Sequence, residues 1–598
     1  MGLIQKNRGQ FSGFISVSFA AALGAAAFTV FSGTASISRA ASLSARSVPA
    51  SVPGELIVKV RNSSGDKAQT QVTTTLQEAL GGSQVQTIRS LKTDASLQKV
   101  KLADASKVGA AIEALKKNPS VAYAEPNYLM HSFDQSVELQ NLTSEMDAAE
   151  RHANGLPNDP QMAKLWGMVN TGQADDAGQV GNAGSDISVA PLWRQGITGS
   201  RNVVVAVIDT GIQWDHPDLV DNIYTNPGEA GELSNNGIDD DKNGFIDDVH
   251  GWNFNAHTRD SNDDYKHGTH CAGTIGAKGN NGIGISGVNW NVSMMPIKFL
   301  DGSGGGTLEG AIESINYATM MKVNVMSNSW GGGGFSQAMQ DAVANAERAG
   351  ILFVAAAGND SSDNDTTPTY PASIPLPNVL AVAALDNRDG IANFSNYGTN
   401  TVHVAAPGVK IYSTSKEGAY ETLSGTSMAT PHVAGISALL LSANPTLGYA
   451  ELKSRLIRTS QPVPSLKRKV QGHGRVSASN AFNNIVPPSN EPDEKLWVDQ
   501  AVSIESPHPY ENNMNKIYGV SVPGAKYLRV VFDEVNTESG YDVVSVESPT
   551  GAPIDSFTGR VSNKTSEYYQ GDSVVIRLKS DVSNSGYGFR VSKVQVIK

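Results

Sequence analysis

The stretch VVVAVIDTGIQWDHPDL, residues 203–219, decides how the middle of the chain folds. Its first six residues, Val203–Ile208, are apolar without alternation, and a carboxylate, Asp209, follows at once. A short run that is apolar at every position fits a parallel strand covered on both faces. The pattern recurs further along in VSMMPIKF (292–299), VNVMSNS (323–329), ILFVAAAGN (351–359) and VLAVAAL (379–385). Helical stretches lie between these runs, LEGAIESINYATMM (308–321) and SQAMQDAVANAERAG (336–350). Strands alternating with helices predict an α/β fold, a three-layer parallel sheet with functional groups at the carboxyl ends of its strands.

The rest of the chain has a different texture. Residues 54–131 hold a strand-like ELIVKV (55–60), a helical GAAIEALKK (109–117) and a strand-like VAYAEPNY (121–128), which together predict a small α+β domain. A polar connector is expected over 132–156, the α/β domain over 157–485 and a Pro-rich linker over 486–493. Residues 494–598 carry short alternating runs, KYLRVVF, YDVVSV, DSVVIRLKS and YGFRVSKVQVI, punctuated by Gly, Pro, Asn and Ser. These predict an all-β sandwich.

Composition bounds the function. At 598 residues the chain exceeds one compact core. With 39% hydrophobic and 17% charged residues it reads as folded rather than disordered. Lys plus Arg number 46 against 58 Asp plus Glu, and a net charge of −12 argues against a nucleic acid or an anionic membrane as partner. The single cysteine, Cys271, excludes an intramolecular disulfide and a Cys-built metal cluster. At the N-terminus, Lys6 and Arg8 precede the uncharged, Ala/Phe-rich Phe11–Phe31. Residues 1–40 therefore read as a signal peptide, cleaved after Ala35 or Ala40, with an uncleaved anchor as the alternative. No other stretch is expected to span a bilayer, and the expected location is secreted: extracellular, periplasmic or in transit to the cell surface. Bound calcium is then a candidate stabiliser in place of disulfides.

Three segments carry chemistry. Asp209 ends the strand of the opening stretch. A lone Asp-Thr-Gly also suggests an aspartic protease, but no second copy occurs. HGTHCAGTIGA (267–277) supplies His267 and His270, without the carboxylate spacing of an H-E-x-x-H zinc site. SGTSMATPHVAGISALL (424–440) places Ser427 where a Gly-rich turn becomes an apolar helix, with Pro431 read as part of the first turn. Unpaired N–H groups there favour developing negative charge, although a capping Ser would occupy the same place. Taken together, a Ser, a His able to act as its base and a carboxylate to hold the imidazolium form a nucleophilic set.

In the order Asp209, His267, Ser427, these residues resemble the subtilase family of serine proteases. The resemblance extends through SNSWGGGG (327–334), AAAGN (355–359), TYPAS (369–373), VAAPGVKIYST (404–414) and GHGRVSASNAF (472–482). It implies a subtilisin-like catalytic domain in which Asn359 donates to the oxyanion. It also implies substrate contacts from Ser329, Trp330, Gly331, Ala356, Ala357 and Gly358. No catalytic cofactor is implied. Residues 54–131 resemble the family's propeptide, a foldase and intramolecular inhibitor whose tail lies in the cleft until cut between Leu129 and Leu156. The C-terminal region resembles a CUB-like sandwich through ESPHPYENN (505–513) and GDSVVIRLKSD (571–581), and Glu538, Asp542 and Asp581 correspond to its calcium ligands.

The loop IDDDKNGFIDDV (238–249) matches the first nine positions of an EF-hand, with His250 at the twelfth. Asp239, Asp241, Asn243, the Phe245 carbonyl and Asp247 or Asp248 are its candidate ligands, and a solvated acidic loop is the alternative. A second calcium site, carried over from the family, would use Asp159, Asp218 and Asn281. The expected protein is a monomeric, calcium-stabilised endopeptidase acting on polypeptides. A non-enzymatic binding protein on the same scaffold and a limited-processing convertase resembling the kexins are the alternatives. Asp360, Asp363 and Asp365 leave a preference for basic substrates open.

Overall fold

A computed structural model describes residues 49–81, 84–136, 155–175, 178–488, 492–539, 541–549, 551 and 553–598, with only the backbone of Gln135 and Ser136. The signal-like stretch 1–40, most of the 132–156 connector and part of the 486–493 linker lie outside them.

The central sheet has nine strands. In spatial order they are Gln461–Pro462, Gly474–Arg475, Val404–Pro407, Val379–Leu385, Leu352–Ala356, Val325–Asn328, Gly199–Asp209, Asn291–Lys298 and Trp252–Asn253. All neighbours run parallel except the first pair. The period of two in a strand explains why the runs show no alternation. Val205 and Val207 point to one face with Leu380 and Val382, while Ala206 and Ile208 point to the other with Met295 and Ile297. The first face is covered by the helices His267–Gly276 and Thr426–Ala443, and the second by Leu308–Met320 and Gln337–Arg348. Each fully buried aliphatic side chain contributes about 1.5–3 kcal/mol of transfer energy, so both faces must be apolar for the sheet to hold three layers together. Asp209, Ser329 and Asn359 lie at or just beyond the carboxyl ends of three adjacent strands.

The N-terminal region pairs Ser51–Val60 between Val121–Ser132 and Leu97–Leu102, with Val85–Ser90 at the edge, all antiparallel. Helices Gly65–Leu80 and Val108–Lys117 cover one face of this sheet. Ile57, Leu91, Leu97 and Met130 instead join the core beneath the central sheet's second face. Glu125 accepts the N–H groups of Gln337 and Ala338 at 3.0 and 3.2 Å, and Asn127 Oδ1 accepts the Glu309 N–H at 3.1 Å. This region thus caps the N-termini of both helices on which it rests. The strand Val121–Ser132 runs beyond the expected propeptide end at His131, and residues 135–136 pair again, so the start of the connector is bound chain.

The C-terminal region is two antiparallel sheets around one core. Val498–Glu505, Gly588–Ile597, Tyr527–Asn536 and Arg560–Thr565 form one, with Tyr569–Gln570 paired to Tyr527–Leu528. Asn515–Ser521, Ser573–Lys579, Val543–Glu547 and Pro553–Phe557 form the other. Leu528, Phe532, Val544, Ile576 and Phe589 fill the space between, as alternating strands of a sandwich require.

Candidate active site and carboxylate clusters

The sheet delivers Asp209 to its carboxyl edge, and the first residue of the next helix, His267, meets it there. His267 Nδ1 donates to Asp209 Oδ1 at 2.8 Å, and both side chains are buried. The Thr210 N–H also donates to Asp209 Oδ1. Burial alone would pull the His267 pKa down, but the Asp209 carboxylate outweighs it and holds the value up at about 9. Nε2 of His267 is buried with no partner among the described residues. His270, one turn on, is packed away: its Nε2 meets the Ile411 carbonyl at 3.0 Å, and burial lowers its pKa to about 4.

Ser427 is the second residue of a helix buried through Leu441. Pro431 lies in the second turn of that helix, not the first as its sequence reading holds. Lacking an N–H, it leaves the Ser427 carbonyl without its i+4 donor. Ser329 Oγ fills the vacancy at 2.9 Å, with Cys271 Sγ at 3.6 Å. The proline therefore ties the backbone of Ser427 to two neighbouring elements. The Ser427 hydroxyl donates to the Ser329 carbonyl at 2.7 Å and accepts the Phe133 N–H at 3.1 Å.

Asn359 is oriented by its own neighbours. Its Oδ1 accepts the Thr426 N–H at 3.0 Å and the Thr426 hydroxyl at 2.9 Å. That fixes which end of the amide is the donor, and Nδ2 reaches the Phe133 carbonyl at 3.1 Å. Among the residues expected to contact substrate, Ser329, Trp330 and Gly331 do touch bound chain. Trp330 and Gly331 pair antiparallel with Ser132 and His131, and the Ser329 carbonyl accepts the Phe133 N–H at 3.4 Å. Ala356, Ala357 and Gly358 are buried at the end of the adjacent strand, the Gly358 N–H bound to Thr426 Oγ1. Sequence reasoning missed the opposite wall, Gly305–Thr307, which pairs with Leu129–His131. A run of glycines carries no strand propensity, so pairing alone makes it a strand.

Three carboxylate clusters lie apart from this site. Ligand atoms of Glu229, Asp239 and Asp241 fall within 4.8 Å of one another. Glu229 was not foreseen; it comes from the preceding segment, and its Oε2 is buried without a partner among the described residues. Asp247 is not with them. It is turned to Arg259 at 3.0 Å and to the Asn236 and Gly237 N–H groups. Asn243 donates to Asp241 and Asp248, and the Phe245 ring packs against Trp252, Phe254 and Tyr317. Burial raises Asp248 to about 6. Asp159, Asp218 and Asn281 do converge: Asp159 accepts the Asn281 N–H at 3.2 Å and Asp218 accepts the Asn281 amide at 2.8 Å. Burial raises both carboxylates to about 6. Glu538, Asp542 and Asp581 also share one space within 4.8 Å, and Glu538 Oε2 is buried without a partner among the described residues. Carboxylates this close repel one another unless a cation lies between them, and all-oxygen donors suit calcium.

The comparisons agree with this architecture. The family model "Subtilase family" matches residues 200–484, "Fervidolysin N-terminal prodomain" matches 41–127 and "CUB domain" matches 498–592. "Subtilisin-like protease 1" of Plasmodium berghei (strain Anka) is 37% identical over 303 residues, 48% of this chain and 50% of the relative. The chain spans about half the length, or less, of this and the matching Plasmodium falciparum relatives. "Subtilisin E" of Bacillus subtilis (strain 168) is 36% identical over 351 residues, 58% of this chain and 73% of the relative. "Subtilisin amylosacchariticus" matches over the same shares. Among the described residues no helix is long and apolar enough to cross a membrane. With its α/β sheet, prodomain and C-terminal sandwich, the chain belongs to the subtilase family.

Proposed function

We propose that this protein is an exported serine endopeptidase, made as a self-inhibited precursor and stabilised by calcium. One observation carries the reading: a buried Asp209–His267 pair and the Asn359 amide converge where the Ser427 hydroxyl meets a peptide unit. In the reaction, Ser427 Oγ attacks the carbonyl carbon and its proton passes to His267 Nε2. Asp209 holds the imidazolium, as in the Ser-His-Asp mechanism known for subtilisin and its analogues. Asn359 Nδ2 and the Ser427 N–H stabilise the oxyanion. His267 then protonates the departing amine, and water hydrolyses the acyl-enzyme ester. No step needs a metal.

The N-terminal region supports inhibition in the same chain, since its last strand fills the cleft. Export rests on the Lys6/Arg8 and Phe11–Phe31 pattern. Glu229, Asp239 and Asp241, then Asp159, Asp218 and Asn281, then Glu538, Asp542 and Asp581, are the groups that would hold calcium. Bound there, the cation neutralises buried carboxylates and holds loops closed. The test is covalent labelling with a fluorophosphonate. Wild-type protein is expected to take one label on Ser427 and to hydrolyse peptides, and Ser427→Ala to do neither. A folded, unlabelled wild type would favour a binding protein on the same scaffold.

A further inference from the structure

The path of the chain through the cleft selects one bond. Leu129–His131 pairs antiparallel with Gly305–Thr307 on one side, and His131–Ser132 pairs with Trp330–Gly331 on the other. Beyond Ser427 the chain is caught again, Gln135 and Ser136 opposite Ser424 and Leu423. It therefore crosses the nucleophile between Ser132 and Gln135, which leaves three peptide bonds to consider. Only Phe133 meets the site with both of its backbone groups. Its N–H reaches Ser427 Oγ at 3.1 Å and its carbonyl reaches Asn359 Nδ2 at 3.1 Å. The carbonyl also lies so close to Gly425 that a Cβ there would collide with it.

The side chains are sorted as sharply. Phe133 is 5% exposed and Met130 3%, whereas His131 faces outward. The Phe133 ring lies against Gly331, where an added Cβ would come within 2.5 Å of it. Met130 packs into the apolar core beneath the sheet. Of the acids that leave a basic preference open, Asp365 accepts from Asn400 and Thr401 and Asp363 accepts the Asp365 N–H at 3.0 Å. On the far side of the bond Asp134 accepts from Ser132 Oγ at 2.9 Å and from the Tyr265 hydroxyl at 3.4 Å.

We infer that the protein makes its first cut at its own Phe133–Asp134 bond, and that the pockets filled by Phe133 and Met130 select polypeptides with an aromatic residue before the cut and an apolar one three places earlier. The inference rests on the serine-peptidase reading and adds the bond and the substrate class. An ester forms between Ser427 Oγ and the Phe133 carbonyl carbon as the C–N bond to Asp134 breaks. The serine proton leaves on the Asp134 amine through His267. Water then frees the Phe133 carboxylate and restores the hydroxyl.

The experiment starts from full-length precursor refolded out of denaturant, quenched at intervals and read by intact mass and terminal sequencing. Ser427→Ala runs in parallel, and a fluorophosphonate reports on the active site. The earliest fragment pair is expected to end at Phe133 and begin at Asp134, with Ser427→Ala uncut. Labelled enzyme whose first fragments end elsewhere overturns this inference alone. Absence of both label and cut overturns the peptidase reading and this inference with it. Specificity is read on the wild-type enzyme with acyl-Met-His-Ser-X-p-nitroanilides. With Phe at X, kcat/KM is expected to exceed that with Arg by about tenfold or more, and equal turnover of the two overturns the assigned preference. Phe133→Arg should slow self-cleavage while Phe133→Tyr retains it; an unchanged rate in Phe133→Arg counts against the pocket.

Discussion

The regions flanking the catalytic body, 51–132 and 498–597, are both β-rich, yet they are attached by different physics. The N-terminal sheet keeps one face for its own helices and lends Ile57, Leu91, Leu97 and Met130 to the core of its neighbour. Glu125 and Asn127 satisfy helix N-termini that belong to the catalytic body. The C-terminal sandwich completes its own core. Its side of the contact includes an ion pair from Arg468 to Glu567 at 3.1 Å and a hydrogen bond from Arg388 to the Gly551 carbonyl at 3.2 Å. Shared apolar surface and helix caps make one region part of the fold it touches. Local polar contacts beside a separate core leave the other a self-sufficient neighbour.

Asn359→Ala strikes the point where the N-terminal region meets the chemistry, and should cost most. Turnover is expected to fall by about 10²–10³ with little change in KM, a magnitude taken from an oxyanion donor in subtilisin rather than derived from this geometry. The precursor should accumulate uncut while the sandwich is untouched; a change confined to KM would assign Asn359 to binding.

Chelation separates the regions differently, because among the described residues the carboxylate clusters lie in the catalytic body and the sandwich. A cation a hundredfold above its Kd contributes about 2.7 kcal/mol. The thermal midpoint of Ser427→Ala should fall on chelation, while the initial rate of wild type, taken at once, should persist. Glu229→Gln should blunt the fall, and an unchanged midpoint would remove calcium from the account.

Self-cleavage should also depend on pH. His267 acts as a base only when neutral, and the Asp209 carboxylate holds its pKa near 9 against the opposing effect of burial, with Asp134 adding to the rise. The rate should climb as pH approaches about 9, and Asp134→Asn should move that limb to lower pH. Because the folded-state pKa is raised, the pair's contribution to stability is complete below about 6.5 and lost as pH rises through about 9. A flat rate profile from pH 6 to 9 would contradict the role given to His267.

The smallest effects set the two attachments side by side. Glu125→Ala should lower the stability of the Ser427→Ala precursor by about 1–2 kcal/mol through lost capping. Arg468→Ala, removing the exposed partner of a Glu567 carboxylate that is itself only 8% exposed, should cost about 1 kcal/mol. Equal losses in denaturant titration would erase the distinction between the two regions.

What could be read in advance follows the same division. Val203–Ile208 and its sister runs announce buried parallel strands because burial on both faces leaves no other composition. Asp209, His267 and Ser427 are legible because their chemistry demands each other. The helix Gly65–Leu80 escapes notice because Thr70, Thr73 and Thr75 weaken its apparent propensity; folded, their hydroxyls bond the carbonyls four residues back. Glu229 escapes because its partners are ten and twelve positions away in a loop with no period. Asp247 misleads because Arg259, not a ligand pattern, decides where it turns. Phe133 and Asp134 look like connector because their conformation is imposed by the cleft that holds them.

The bound tail is held unequally on its two sides, and that inequality sets a rate law. Among the described residues, 129–132 are gripped between two strands and anchored to a docked sheet, whereas 135–136 pair with Leu423 and Ser424. Once the proposed bond is cut, the new amino end should depart and the older piece should remain seated. Cutting should then be first order and indifferent to dilution, while the appearance of activity should await dissociation or destruction of the seated piece by another molecule. Progress curves should show a lag that shortens as protein concentration rises or when a trace of active enzyme is added.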